Sequence, residues 1–342
     1  MQTVELHTST GSSRIMIGGS LGNVSQWFTG QRLAIITDST VYDLYQGEFP
    51  EGETIILEPG EKSKSWEEAN KIYARLLELE FDRKDFILGI GGGVVSDLAG
   101  FIASTYLRGI SFGFVATTLL AQVDASIGGK NGINYQGYKN MIGVIQQPEF
   151  IICDPHILKT LDNREYISGL AEVVKYGAIV NPALYQFCEK KTEQILQREV
   201  EALEQIINSC IQDKCNIVSQ DEKETGDRMK LNFGHTLGHA LEKVTGLSHG
   251  EAVAIGMVLA AKISEKLGFL PGEETNRLIA LLKSFNLPVS TDIPVNQLFD
   301  AIRKDKKRKG GRIGLVLINK PGSSFIEYMD QKKFEKLLND LY

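Results

Sequence analysis

Along the first half of the chain, short apolar runs alternate with amphipathic segments. Leu33–Thr37 and Thr54–Leu57 read as buried strands. Ser65-Trp-Glu-Glu68 has the capping-box pattern, in which a hydroxyl and a glutamate satisfy reciprocal backbone donors at a helix start. The helix that follows is predicted to place Ala69, Ile72, Tyr73, Leu76 and Leu77 on one stripe and to stop near Asp82. Phe86–Ile90 is the next strand and runs directly into Gly91, Gly92 and Gly93. Alternation of this kind predicts a parallel sheet. Beyond about residue 162 the period changes. Val200, Leu203, Ile207, Cys210, Ile211 and Val218 recur at helical spacing and strand signals are few, so the second half is expected to be mainly helical. The predicted fold class is α/β plus all-α, with an N-terminal α/β domain over 1–162 and a C-terminal helical domain over 163–342.

Composition narrows the functional classes. With 42% hydrophobic residues, 23% charged residues and a formal net charge of −6, the 342-residue chain reads as a soluble globular protein with no general affinity for nucleic acid. The basic run from Arg303 to Arg312 is short, lacks interleaved aromatics and is expected to be mostly solvated, with one or two charges reaching an anionic substrate. Cys153, Cys188, Cys210 and Cys215 form no C-x-x-C pair, which points to reduced thiols. The N-terminus has no basic region followed by an apolar core, and no apolar run approaches membrane-spanning length. A cytoplasmic protein is expected.

Three segments carry candidate chemistry. The first is the strand ending in Gly91–Gly93 and continuing into Asp97, where a helix N-terminus beside close-packed backbone suits a pyrophosphate and favours a dinucleotide. Val94 stands where a third glycine of G-x-G-x-x-G would fall, and the acid expected on the following strand is missing. Asp38, after the earliest clear strand, offers a ribose contact instead. The second is Thr117–Lys130 with Lys139, Asn140 and Gly143, where glycines beside cations suit an anionic ligand. The third is a cluster of three of the five histidines, His235, His239 and His249.

Residues at i and i+4 on a helix share a face, so His235 and His239 have metal-pincer spacing, with Glu172 as a plausible third ligand; helix capping or backbone hydrogen bonding would also account for these histidines. Glu172 and Lys175 share a helical face, either as a surface ion pair or as two members of one site. Lys214 lies on the apolar stripe of its helix, where an unpartnered charge is costly, and is expected to face a site.

Taken in order, these stretches resemble the 3-dehydroquinate synthases of the sugar-phosphate cyclase group over nearly the whole chain. The resemblance is carried by Pro59–Ser65, Gly91–Gly109, Thr117–Asp124, Gly128–Lys130, Lys139–Gly143, Ser168–Gly177, Asp221–Glu224, Asn232–His239, His249–Met257 and Lys304–Lys307. Ser96, Tyr138 and Asp162 depart from the family pattern.

The resemblance implies a Rossmann-like nucleotide-binding domain, a helical metal-binding domain and an active site between them. It implies zinc or cobalt on Glu172, His235 and His249, with His239 moved from the metal to the substrate phosphate. NAD+ contacts would come from Asp38, Glu61, Lys64, Gly91, Gly92, Gly93, Asp97, Thr117, Thr118, Lys139, Thr160 and Glu165. Asp124, Lys130, Asn140, Lys175, Lys214, Arg228, Asn232 and Lys306 would contact substrate, and Arg108 would reach in from the second subunit of a homodimer.

The implied substrate is 3-deoxy-D-arabino-heptulosonate 7-phosphate. Lys214 and Arg228 suit its carboxylate, and Lys130, Asn140, His239, Lys306 and Arg108 its phosphate. The implied reaction is transient oxidation, phosphate elimination, reduction, ring opening and aldol closure. A metal-dependent polyol dehydrogenase, a nucleotide-sensing module and a cyclase for a sugar phosphate without a carboxylate are the competing readings. The cations beyond those NAD+ requires count against the first two, and Lys214, Arg228 and Asn232 against the third.

Overall fold

The computed structural model describes residues 1–28, 30–306 and 312–341, without the side chains of 303–306. It divides into two compact units, 1–161 with 203–223, and 162–202 with 224–342. A helical segment that the sequence pattern groups with the second half therefore belongs to the first unit. Among the described residues no helix is long and apolar enough to cross a membrane.

The first unit opens with a hairpin, β1 (Gln2–Thr8) and β2 (Gly11–Ile17), and continues through β3 (Leu33–Asp38), α1 (Ser39–Tyr45), β4 (Glu53–Leu57), α2 (Trp66–Glu78), β5 (Phe86–Gly91), α3 (Gly93–Thr105) and β6 (Ser111–Ala116). After β6 come a ribbon, β7 (Lys130–Tyr135) and β8 (Tyr138–Ile145), and the strand β9 (Phe150–Cys153). Seven strands form one sheet in the order β1-β2-β9-β6-β5-β3-β4. All neighbours are parallel except β1 and β2. The strand order turns back between β3 and β5, because β4 lies on one side of β3 and β5, β6 and β9 on the other. In open α/β sheets such a reversal leaves a crevice at the carboxyl ends of the strands.

Its core is the interdigitated side chains of Leu33, Ile35, Phe86, Leu88, Ile90, Val115, Phe150 and Ile152. The β1–β2 hairpin and the β7–β8 ribbon escape the sequence reading because exposed and polar positions interrupt both. Helix α2 starts at the predicted cap, with the Ser65 hydroxyl accepting from Glu68 N at 3.2 Å, but Ser65 N donates to Ser63 O at 2.9 Å, so the reciprocal half of the box is not made. It ends at Glu78 instead of near Asp82. Glu80 takes the left-handed conformation (φ 55°), and Phe81 N donates back to Leu76 O at 3.0 Å, which closes a Schellman turn. Leu77, assigned to the buried stripe by period, is 62% exposed.

The second unit starts with α4 (Asn163–Ile179), α5 (Pro182–Lys190) and α6 (Thr192–Leu196). The long helix α7 (Val200–Gln220) runs, from Leu203 onward, within the first unit. There the Glu222 carboxylate beyond its end accepts from Ser9 N at 3.0 Å and Ser9 Oγ at 2.5 Å, at the β1–β2 turn, and from Thr10 Oγ1. Burial alone would raise the Glu222 pKa, but these hydrogen bonds outweigh it and hold the acid down at about 2.

The chain re-enters the second unit for α8 (His235–Val244), α9 (His249–Lys266), α10 (Gly272–Ser284), α11 (Val295–Lys306), a hairpin of β10 (Arg312–Lys320) and β11 (Ser323–Asp330), and α12 (Gln331–Asn339). The hairpin departs from the helical expectation. Its strand β10 buries Ile313, Leu315 and Leu317 against Leu241, Ile255, Leu259 and Phe334, so the apolar face of the helices is completed by a ribbon.

Helix α9 is seated by backbone contact. A Cβ at Gly250 would lie 2.0 Å from the carbonyl oxygen of Ser168 on α4, and Gly250 N donates to Ser168 Oγ at 2.9 Å. A Cβ at Gly256 would lie 2.0 Å from the carbonyl of Gly234, which itself needs a left-handed φ of 80° to turn the chain into α8. Backbone cannot yield as a flexible side chain can. Gly250→Ala is expected to lose about 3 kcal/mol of stability by overpacking. Gly246→Ala, with no atom within 4 Å of the added carbon, should stay within about 0.5 kcal/mol of wild type. Urea midpoints of the two variants check the contrast.

Candidate functional site

The seating of α9 on α4 brings His249, the first residue of α9, to Glu172, one turn beyond Ser168. His249 is held by a capping box. Ser248 N donates to Glu251 Oε2 at 2.6 Å, Glu251 N donates to Ser248 Oγ at 3.4 Å, and Arg164 binds the same Glu251 oxygen at 2.8 Å. The close α8–α9 crossing presents His235, the first residue of α8, to the same point. The Nε2 atoms of His235 and His249 lie 3.5 and 3.3 Å from Glu172 Oε1. Glu172 is fully buried, and its other oxygen pairs with Lys175, which is also buried. The reading of this pair as a surface feature is thus set aside.

Glu172, His235 and His249 each offer a ligand atom within 4.8 Å of the others, and His239, Glu242 and His249 form a second grouping of that kind. The pincer of His235 and His239 with Glu172 is not among the groupings found in the described residues. The His239 ring stands edge-on to His235, with centroids 5.3 Å apart. Burial drives the His235 pKa down to about 3, helped by Lys175 and opposed by Glu172. Burial acts the same way on His249, but the carboxylates of Glu172 and Glu242 beside its two ring nitrogens outweigh it and lift the pKa to about 9. A divalent cation binding there displaces that proton.

Also in this unit, Arg228 is buried in a short 3-10 turn, Asp227–Asn232. Asn232 donates to Glu224 Oε1 at 2.6 Å. Glu165 lies in the first turn of α4, its pKa raised by burial and then by Asp162. Asp162 caps that helix, accepting from Arg164 N at 2.8 Å, so this departure from the family pattern is structurally accommodated. Lys306 lies outside the described side chains.

In the first unit, Asp38, Gly91 and Thr117 stand at or just past the carboxyl ends of the neighbouring strands β3, β5 and β6, beside the reversal in strand order. Asp38 closes β3 and caps α1, accepting from Val41 N at 3.1 Å, and burial raises its pKa. Gly91 closes β5, Gly92 caps α3 and Gly93 begins it. The loop needs no positive φ. A Cβ at Gly91 would lie 2.5 Å from the Val95 side chain and one at Gly92 2.9 Å from Thr118, so the strand-to-helix turn itself is too tight for side chains. Ser96 is buried and donates to Gly93 O at 3.1 Å, which fits it into the turn. Thr117 N donates to Gly91 O at 2.9 Å, and Thr118 Oγ1 accepts from Ala121 N at 3.1 Å.

A polar network joins Glu61, Lys64, Asp97 and Asn140. Lys64 pairs with Asp97 and donates to Asn140 Oδ1 at 2.5 Å; Asn140 N donates to Asn134, which donates to Glu61 Oε1 at 2.8 Å. Asn134 is absent from the sequence assignments and completes this network. Lys130, Tyr138 and Lys139 are exposed on the β7–β8 ribbon. Thr160 bonds Tyr45 OH at 2.5 Å. Lys214, placed by its helical stripe, pairs with the Asp124 carboxylate and donates to the Asp124 carbonyl at 2.6 Å. Asp124 sits in a π-helical turn, Ala121–Ala125. Arg108 is exposed in the turn after α3, where Leu107, Arg108 and Gly109 all have positive φ.

Two family models match the chain, the 3-dehydroquinate synthase N-terminal model over residues 54–168 and the C-terminal model over 169–308. A 3-dehydroquinate synthase of Dictyoglomus thermophilum is 46% identical over 310 residues, covering 89% of this chain and 87% of that protein. One of Enterococcus faecalis is 41% identical over 338 residues, 94% of each. Among solved structures, a 2-deoxy-scyllo-inosose synthase complexed with carbaglucose-6-phosphate, NAD+ and Co2+ superposes with a TM-score of 0.88 at 25% identity, covering 99% of this chain and 100% of that one. A probable glycerol dehydrogenase from Sinorhizobium meliloti, at 15% identity, 98% coverage of each chain and a TM-score of 0.68, shares the fold alone. With 40–46% identity to relatives across most of its length and both models in register, the chain is an enzyme of the 3-dehydroquinate synthase family.

Proposed function

We propose that the protein converts 3-deoxy-D-arabino-heptulosonate 7-phosphate to 3-dehydroquinate and phosphate, using NAD+ and one divalent metal ion. The observation that carries this reading is the convergence of Glu172, His235 and His249 within ligand distance of one another in a chain matched by both family models. Two imidazoles and one carboxylate suit zinc or cobalt and leave coordination positions for substrate oxygens. The tight turn at Gly91–Gly93, with the α3 N-terminus beside it and Asp38 across the strand-order reversal, suits the pyrophosphate and ribose of a dinucleotide.

When bound, NAD+ takes up and returns a hydride, and the cation lowers the pKa of the hydroxyl to be oxidised. The chain's own residues bind and orient. Lys175 neutralises the far oxygen of Glu172 and leaves the near one to the histidines. Asp38, Glu61, Lys64, Asp97, Thr117, Thr118, Lys139, Thr160 and Glu165 are the dinucleotide contacts. Lys214, steered by Asp124, and Arg228 take the substrate carboxylate, and Asn232 lies beside Arg228 in the same turn. His239, Lys130, Asn140 and Lys306 take the phosphate. The protein works in the cytoplasm as a homodimer, and the exposed Arg108, on its strained turn, crosses to the partner's phosphate site.

Purified protein given substrate and catalytic NAD+ should release phosphate over many turnovers without a rise in absorbance at 340 nm. NADH produced in step with substrate consumption would instead establish a dehydrogenase. Metal analysis separates the histidines. Glu172→Ala, His235→Ala and His249→Ala should lose bound metal, whereas His239→Ala should keep it and bind substrate poorly; an apo His239→Ala protein would restore the pincer.

The shared site is tested by complementation. Arg108→Ala and His235→Ala homodimers should each be inactive, and subunit exchange should restore activity, because one site of the heterodimer has its own metal and an intact arginine from its partner. Heterodimers confirmed by native mass spectrometry yet inactive would place Arg108 in its own chain's site or in none.

A further inference from the structure

Glu242 is in none of the ligand or substrate assignments above, and its position is electrostatically unusual. It lies in the last turn of α8, where the helix carbonyls disfavour an anion, and its side chain is only 10% exposed. It is three residues after His239 and seven after His235, hence on the face that carries both. Its Oε2 lies 3.6 Å from Nδ1 of His249, while Nε2 of the same ring lies 3.3 Å from Glu172. The His249 ring therefore stands between two carboxylates, one at each nitrogen.

An imidazole that offers Nε2 to a cation carries its proton on Nδ1, and an acceptor facing Nδ1 selects that tautomer, sets the ring rotation and makes Nε2 more basic. His235 is served in the same way by the carbonyl of Phe233, 3.1 Å from its Nδ1. The two histidines differ in what backs them, a neutral carbonyl for one and a carboxylate for the other. A carboxylate is the stronger acceptor, so it holds a proton on Nδ1 of His249 more firmly than a neutral carbonyl would.

We infer that Glu242 is a positioning residue of the metal centre, holding His249 with Nε2 toward the cation. This rests on the reading of Glu172, His235 and His249 as the ligands. The same carboxylate also lies within 4.8 Å of ligand atoms of His239 and His249. A second cation on those three residues is therefore the competing use of Glu242.

Stripped full-length protein titrated with Co2+ against a competing chelator, alongside the thermal midpoint of each apo form, tests the inference without an activity assay. Wild type should bind one ion, and Glu172→Ala should bind none. Glu242→Gln, which keeps an acceptor and loses the charge, should weaken Co2+ binding by about 10-fold, and Glu242→Ala by up to about 100-fold. Both should hold one ion and keep the wild-type apo midpoint, with an altered Co2+ visible spectrum. Wild-type affinity in both variants overturns the inference, as does a lowered apo midpoint with unchanged affinity. Two ions in wild type and one in the variants overturns it in favour of the second cation. Wild-type Co2+ affinity in Glu172→Ala would overturn the ligand assignment itself, whatever Glu242 does.

Discussion

The contact between the backbones of α4, α8 and α9 is the constraint on which the metal-capable cluster depends. Glu172, His235 and His249 come from three helices, and their ligand atoms converge within 4.8 Å where those helices meet backbone against backbone. Glycine at 250 against Ser168, and at 256 against Gly234, permits that approach. The histidines stand directly beside these contacts, His249 before Gly250 and His235 after Gly234, so the packing and the chemistry share a few consecutive residues. The capping box of Ser248 and Glu251 then fixes the first turn of α9, where a histidine has the least help from its own helix.

Charge is arranged in pairs in each of the two units. Glu172 with Lys175, Asp124 with Lys214, and Asp97 with Lys64 each set a cation against a carboxylate, and at least one member of every pair is buried. Removing one partner of a fully buried pair typically costs roughly 3–5 kcal/mol, because the other charge is stranded. Each pair fixes the direction of a long lysine side chain that would otherwise be free to rotate, so part of its ordering cost is met within the fold.

The first unit solves a different problem. Its sheet reverses strand order between β3 and β5, so Asp38 and the Gly91–Gly93 turn stand at the carboxyl ends of neighbouring strands although more than fifty residues separate them. Nearby, the β7–β8 ribbon contributes Asn140, which Lys64 ties to Asp97. The tight turn at Gly91 and Gly92 is required by Val95 and Thr118 as well as by any phosphate. An imperfect glycine fingerprint is therefore compatible with a well-formed strand-to-helix turn.

The sequence by itself determined the elements whose signals are local. Strands β3, β4 and β5, the Ser65 cap of α2, the parallel α/β first half and the placing of Lys214 on a buried stripe all follow from period, capping chemistry and the cost of burying charge. Family resemblance pointed to Glu172, His235 and His249 as a set, where helical spacing alone favoured the His235–His239 pair. Tertiary structure decided the rest. Leu77 is exposed although Leu76 is fully buried, because it lies roughly 100° further round the helix, and α2 stops early because Glu80 adopts a left-handed turn with Phe81 buried behind it. The β10–β11 ribbon packs Ile313, Leu315, Leu317 and Met329 into a cluster shared with α8, α9, α11 and α12, so its burial depends on helices distant in the chain. Residues 203–223 join the first unit because Lys214 and Glu222 find their partners there, at Asp124 and at the Ser9–Thr10 turn. A periodic pattern states which face of a helix is buried; which unit buries it depends on partners distant in the chain, and these become visible only when the backbone brings them into contact.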